Sequence, residues 1–143
     1  MSTPDPASWR EQRREAAAVH AEALERRQLA ESARARGLIA EFVSEAQARG
    51  VEPTPLRARS YDGRHRYRTD LRGWYLRRDE SVAVGDDGEF YVLSVPASLR
   101  SALRGASVPP RDPPLVIGAG GKDGESLDLP VALARALGDD RAG

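Results

Sequence analysis

The sequence predicts an α+β protein, in which a long N-terminal helix precedes a small antiparallel sheet of about five strands with one or two short helices. Two observations predict this class. Residues 8–49 contain no proline and are rich in alanine, glutamate and arginine, which are strong helix formers. Residues 54–95 contain two Asp-Gly pairs between apolar runs, which is typical of β-hairpins. We therefore divide the chain into a helix at 1–50, a compact sheet domain at 51–138 and a disordered tail at 139–143.

The N-terminal helix should begin at Asp5 and Pro6 and end at Gly50, because these residue types favour an N-cap, a first helical position and a left-handed C-terminal cap. Its two halves differ. The second half is amphipathic and should pack on the sheet domain through Leu38, Ile39, Phe42, Val43 and Ala46. The first half is polar, and its large aliphatic residues are spaced five apart, which does not match one helical face: Val19, Leu24 and Leu29.

Three roles are open for this polar half, with Val19, Leu24 and Leu29 as its candidate interaction residues. The helix can lie over its own domain, which we favour, or pair with a second copy of the chain. A nucleic-acid arm is the least favoured role, because residues 1–50 hold eight basic and eight acidic residues.

The sheet is expected to contain strands at 64–69, 71–78, 81–85 and 89–95, with turns at Asp62-Gly63 and Asp87-Gly88 and a bulge at Gly73. The run at 89–95 is apolar nearly throughout, which suggests a central strand covered on both faces. Short helices are expected at 98–104 and 130–137, strands at 115–117 and 126–129, an extended proline-rich loop at 108–114 and a flexible glycine-rich loop at 118–124.

Eight arginines and only two acids lie between Arg57 and Arg78, among aromatic residues. On the predicted strands, Arg64, Arg66 and Arg68 share one face, and Arg72 and Trp74 share a face of the next strand. These five residues form the candidate anion-binding or partner-binding surface. The alternative is a solvated face whose charges pair with the acids of residues 79–89, and we favour Trp74 as a core residue over a stacking platform. Nucleic acid could bind there through phosphate contacts and stacking, and a protein partner could use the same face. Arginine outnumbers lysine 21 to 1 along the whole chain, so we favour codon composition over selection as the source of the excess.

The sequence lacks the motifs of several kinds of functional site. The absence of cysteine excludes disulfides, thiol catalysis and thiolate metal sites, and it favours a cytoplasmic protein. No apolar run is long enough to span a membrane, and the N-terminus lacks a signal-peptide core. The glycine-rich loop lacks the spacing of a phosphate-binding loop around Lys122, and His20 and His65 have no ligand-like neighbours. We predict no catalytic residue, cofactor or metal ligand.

The sequence favours a non-enzymatic binding or adaptor protein that contacts another protein or a second copy of itself through the N-terminal helix or a sheet edge. The alternative is a nucleic-acid-binding module that uses the arginine and aromatic face. An enzyme with an unrecognised site is a third and less favoured interpretation. No membrane partner is expected.

Overall fold

The computed structural model describes residues 5–118 and 125–139 and has the α+β architecture that the sequence predicts. The helices are α1 (Pro6–Ala48), α2 (Leu99–Arg104) and α3 (Leu129–Ala136). A five-stranded sheet contains β1 (Thr54–Ser60), β2 (Arg66–Tyr75), β3 (Val82–Gly85), β4 (Phe90–Val92) and β5 (Ser94–Val95). A separate two-stranded sheet pairs β6 (Val116–Ile117) with β7 (Leu127–Asp128). Within these described ranges, no helix is long and apolar enough to cross a membrane.

Both ends of α1 form as their residue types predict. The Asp5 carboxylate accepts a hydrogen bond from the Ala7 amide at 3.3 Å, and Pro6 is the first helical residue. At the other end, Gly50 has φ of 72° and the Val51 amide donates to the Ala46 carbonyl at 2.8 Å. This reverse turn is a Schellman motif, which turns the chain directly into β1.

The two halves of α1 have different surroundings. The predicted amphipathic half packs on the sheet, with Ile39, Phe42 and Ala46 buried and Leu38 and Val43 half-buried. Residues 6–30 are exposed along almost their whole length, with Ala23 half-buried. Glu25, Gln28 and Leu29 line a groove with Pro113 and Pro114, so the part of the helix beyond the domain is residues 6–24. At 1.5 Å per residue this part extends about 28 Å. The first half of the helix therefore projects from its domain and does not lie over it.

The five-stranded sheet closes on itself. Its strand order is β4-β3-β2-β1-β5, and the pairs are antiparallel except for the parallel pair of β1 with β5. Only Leu93 separates β4 from β5, although these strands lie at opposite ends of that order. The Leu93 amide donates to the Ser81 carbonyl beside β3, and its own carbonyl accepts from the Arg59 amide of β1, both at 2.8 Å. The two edges therefore meet at Leu93 and the sheet forms a small barrel.

The inside of the barrel is filled by alternate side chains of its strands. Leu56, Ala58, Tyr67, Ala83, Tyr91 and Leu93 are all at most 5% exposed. On the outside, α1 and α3 cover one side, where Trp74, Val82, Val84 and Phe90 pack against Ile39 and Phe42. We call this side the helix-covered wall. Burial on both faces of these strands gives the chain its apolar core.

Two strand predictions are wrong. The predicted strands 64–69 and 71–78 are replaced by a single strand, β2 (Arg66–Tyr75), because the chain continues through a bulge around Asp70. The register of β1 against β2 changes between Pro55–Arg72 and Arg57–Arg68, which leaves two extra residues in β2. The hydroxyl of Thr69 donates to the Leu56 carbonyl at 2.6 Å and accepts from the Leu71 amide at 3.1 Å, so it satisfies the interrupted ladder.

The apolar run 89–95 is not one central strand. It bends at Leu93 into β4 and β5, and it is apolar because β4 faces the barrel interior on one side and α1 on the other. Gly73 is not a bulge either, but pairs regularly with Thr54 and Gly85. A side chain there would overlap the Val84 carbonyl and would lie 2.7 Å from the Gly85 Cα, so only glycine permits this approach.

The C-terminal elements agree with the sequence prediction in kind. Ser98 caps α2, Asp128 precedes α3, and Leu129 and Leu133 of α3 are buried against the core. The proline-rich segment runs extended along β4, where Arg111 forms a β-bridge with Phe90. Only Gly118 of the predicted flexible loop lies within the described residues. The same is true of only Asp139 in the predicted tail. Asp139 bonds to Arg49 at 3.1 Å, so position 139 belongs to the fold.

Candidate partner-binding surface

Five arginines point outward from β1 and β2 on the side of the barrel that neither α1 nor α3 covers. They alternate with buried residues along each strand, as the two-residue period of a strand requires. We call this surface the arginine wall, and its members are Arg57, Arg59, Arg66, Arg68 and Arg72. Arg59 is half-buried and the other four are exposed.

Like charges face each other across this wall. The register pairs Arg57 with Arg68 and Arg59 with Arg66. Opposite residues on neighbouring antiparallel strands have Cβ atoms about 5 Å apart, and like charges in such positions destabilise a sheet by roughly 0.2–1 kcal/mol per pair. The arrangement therefore opposes folding unless the guanidinium groups find partners.

Few carboxylates compensate the wall within the described residues. Arg66 forms a salt bridge with Glu80, and it is the only wall arginine there that pairs with an acid. Arg59 donates to the Asp79 carbonyl at 2.9 Å, Arg72 to the Pro53 carbonyl at 3.2 Å, and Arg68 to the Leu103 carbonyl at 3.5 Å. Carbonyl acceptors orient the guanidinium groups of Arg68 and Arg72 and leave their charges unneutralised, whereas the charge of Arg59 also acts on the nearby Asp79 carboxylate. The wall therefore keeps a positive charge.

The structure brings together three of the five residues predicted for this surface. Arg66, Arg68 and Arg72 lie on the wall, whereas Arg64 lies in the turn before β2. Trp74 does not belong to it, because the tryptophan is 6% exposed, donates from Nε1 to the Val51 carbonyl at 3.1 Å and packs edge-on against Phe42. The helix over this end of β2 could not be assigned from strand spacing alone.

Sequence reasoning missed Arg57 and Arg59. The signal was present, since residues 54–60 alternate Leu56, Ala58 and Ser60 with polar neighbours, which is the pattern of a half-buried strand. This alternation does not give the register between β1 and β2. The register places Arg57 opposite Arg68 and Arg59 opposite Arg66.

Aromatic rings are largely absent from the outer surface of the wall. Tyr67 and Tyr75 point into the barrel, where the Tyr75 hydroxyl accepts from the Arg57 amide at 2.9 Å. His65 stacks on Tyr67, with ring centroids 6.2 Å apart. Tyr61 is 71% exposed, but it lies in the turn between β1 and β2. The wall thus offers guanidinium groups and lacks a platform on which successive bases could stack.

The turn at one end of the wall is held by Asp62. Its carboxylate accepts from the Ser60 hydroxyl at 2.5 Å and from the Arg64 amide at 2.9 Å. These two hydrogen bonds, the one from Ser60 first, lower the pKa of Asp62 below its ordinary value. Gly63, with φ of 72°, completes the hairpin predicted from the Asp-Gly pair.

Of the candidate interaction residues of α1, Val19 and Leu24 lie in its projecting part, and Leu29 lines the groove with Pro113 and Pro114. Val19, Leu24 and Leu29 are 62%, 53% and 67% exposed. At 100° per residue these side chains point in different directions, and only Leu24 shares the face that buries Ala35 further along the helix. They do not form one continuous apolar stripe.

Nothing in the described ranges assembles a metal centre. Among residues 5–118 and 125–139, no three His, Asp or Glu side chains come close enough to share an ion, and His20 and His65 lie in separate elements. The arrangement of the wall is suited to binding an anionic group by charge and hydrogen bonds.

Comparisons with known proteins add no family to this description. No family model matches the chain, and no curated protein or solved structure matches it either.

Proposed function

We propose that the protein is a non-enzymatic cytoplasmic binding protein whose arginine wall holds an acidic segment of a partner protein. The observation that carries this proposal is the pair of cross-strand contacts, Arg57 with Arg68 and Arg59 with Arg66. An anionic partner reduces the repulsion between the arginines of both pairs. This reduction stabilises the bound state relative to the free protein. The cytoplasmic location is inferred from the absence of cysteine.

We prefer a protein partner to nucleic acid because the aromatic side chains near the wall are not available to stack on bases. Two-residue spacing along β2 sets the Cβ atoms of Arg66 and Arg68 about 7 Å apart, which suits a phosphate backbone as well as a carboxylate-rich strand. However, Trp74, Tyr67 and Tyr75 are buried or half-buried and cannot stack on bases. A nucleic-acid site would therefore rely on phosphates alone.

The experiment measures binding of a fluorescein-labelled polyglutamate peptide by anisotropy at low and high salt. The double variant Arg57→Gln with Arg68→Gln should weaken binding by about tenfold or more at low salt, because charge-assisted hydrogen bonds are lost. The control is Arg26→Gln with Arg27→Gln on the exposed part of α1, which removes the same net charge from another surface.

Equal losses in the two double variants would show that net charge and not the wall controls binding, and would refute the proposal. A single-stranded oligonucleotide of matched charge tests the alternative. Tighter binding of the oligonucleotide than of the peptide, lost only in the wall variant, would instead support a nucleic-acid-binding module.

Self-association through α1 is a second candidate, favoured by the length of helix that projects from the domain. Light scattering after size exclusion would give twice the monomer mass, and Leu24→Glu with Leu29→Glu would restore the monomer. A monomeric wild-type protein at high concentration would end this idea. The sheet edges are a poorer route, because they meet at Leu93 and Arg111 covers part of β4.

A further inference from the structure

Helix α2 presents two leucines to solvent beside the arginine wall. Leu99 is 84% and Leu103 is 77% exposed. Residues four apart on a helix are neighbours on one face, so the two side chains form a joint apolar surface. No residue of α2 is buried, although a short surface helix ordinarily turns its large apolar side chains toward the core.

Polar contacts hold α2 in place without these leucines. The Ser98 amide donates to the Tyr67 hydroxyl at 3.1 Å before the helix, and the Ala106 amide donates to the Arg68 carbonyl at 2.7 Å after it. The Ser98 hydroxyl caps the helix by accepting from the Ser101 amide at 3.0 Å. Both ends of α2 are thus bound to adjacent residues of β2, which fixes the leucines relative to the wall.

The leucine pair is surrounded by positive charge. Arg68 of the wall donates to the carbonyl of Leu103 at 3.5 Å, and Arg100 and Arg104 are exposed on α2 itself. A complementary surface must therefore combine apolar side chains with carboxylates. Nucleic acid does not supply that combination, since its bases bind flat aromatic rings and α2 contains none.

We infer that α2 and the arginine wall together bind an acidic amphipathic segment of a partner protein. The apolar side chains of this segment pack on Leu99 and Leu103, and its carboxylates bind Arg57 and Arg68. This inference rests on the proposed function and specifies its partner, because acidity alone would leave the two leucines without a role.

The test compares two labelled peptides of equal charge on the full-length protein. One contains glutamates with leucines one helical turn apart, and the other has serine in place of each leucine. The wild-type protein should bind the leucine peptide about tenfold more tightly than the serine peptide. The variant Leu99→Gln with Leu103→Gln keeps strong helix formers in α2 and should remove this preference, whereas binding of the serine peptide should not change.

Trp9→Gln on the projecting part of α1 is the control, since it removes a large apolar side chain that is 50% exposed and distant from α2 in sequence, and it should alter neither affinity. Equal affinity of the wild type for the two peptides overturns the inference and leaves the proposed function standing. Failure to bind either peptide overturns both. Binding to phosphatidylserine vesicles that depends on Leu99 and Leu103, without a preference between the peptides, would assign the surface to a membrane and also overturn the inference.

Discussion

The outer face of β2 passes from the arginine wall to the helix-covered wall within a few residues. Arg66, Arg68 and Arg72 are exposed, and Trp74, the next residue on the same face, is 6% exposed beneath α1. The strand geometry is the same at both ends, so the difference comes from what lies over it. Where α1 covers the barrel, apolar area is buried and stabilises the fold, whereas the uncovered end carries charges that repel one another.

The largest effect should come from removing the tryptophan at the covered end. Trp74→Ala deletes the edge-on contact with Phe42 and leaves a cavity under α1, so the free energy of unfolding should fall by about 3–5 kcal/mol. Urea denaturation measures it. Arg72→Ala on the same face should change stability by less than about 0.5 kcal/mol. Similar losses in both variants would mean that the two walls do not differ in packing.

Gly73, between these two residues, tests the close approach of β2 to β3. Gly73→Ala should destabilise by about 1–3 kcal/mol or more, because the new methyl group overlaps backbone atoms of Val84 and Gly85. Gly37→Ala is the control, and its expected effect on stability has the opposite sign. Nothing lies within 4 Å of a Cβ there and the residue is helical, so this change should stabilise by about 0.5–1 kcal/mol. A neutral Gly73→Ala would contradict the strand pairing.

The repulsion across the arginine wall has a smaller effect on stability. Here the wild-type pair is expected to destabilise the fold. Single and double replacement of Arg57 and Arg68 by Gln gives a double-mutant cycle, whose coupling should be unfavourable in the wild type by about 0.2–1 kcal/mol. Salt should reduce this coupling, since both side chains are exposed. A favourable coupling, measured by thermal unfolding at low salt, would show that the two guanidinium groups stabilise each other and would remove the main argument for an anionic partner.

The smallest effect concerns Asp62 in the turn at the end of the wall. Because its pKa is lowered in the folded state, the carboxylate stabilises the fold above the ordinary aspartate pKa, and this contribution is lost as pH falls through the lowered value. The difference in melting temperature between wild type and Asp62→Asn should therefore shrink as the pH is lowered from about 5 toward 2. A constant difference would mean that the Ser60 and Arg64 contacts do not favour the ionised form.

Part of the arginine wall could be predicted from the sequence and part could not. Alternation along β2 correctly set Arg66, Arg68 and Arg72 outward, because a strand has a two-residue period whatever its partners are. The bulge at Thr69–Leu71 was predicted as a break between two strands. It could not be recognised locally, because the hydroxyl that satisfies it donates to Leu56, which is distant in sequence. The pairing of Arg57 with Arg68 depends on that bulge.

Local sequence determined the helix α1 with both of its caps, the Asp-Gly turns, and the amphipathic half that packs through Ile39, Phe42 and Ala46. These features depend on residues within one or two helical turns of each other, so a one-dimensional pattern contains them. Only the tertiary structure decided that Leu93 joins the two edges of the sheet, that α1 buries Trp74 while residues 6–24 project, and that arginines of β1 face arginines of β2. These are contacts between distant segments, and they depend on register and closure, which no local propensity encodes.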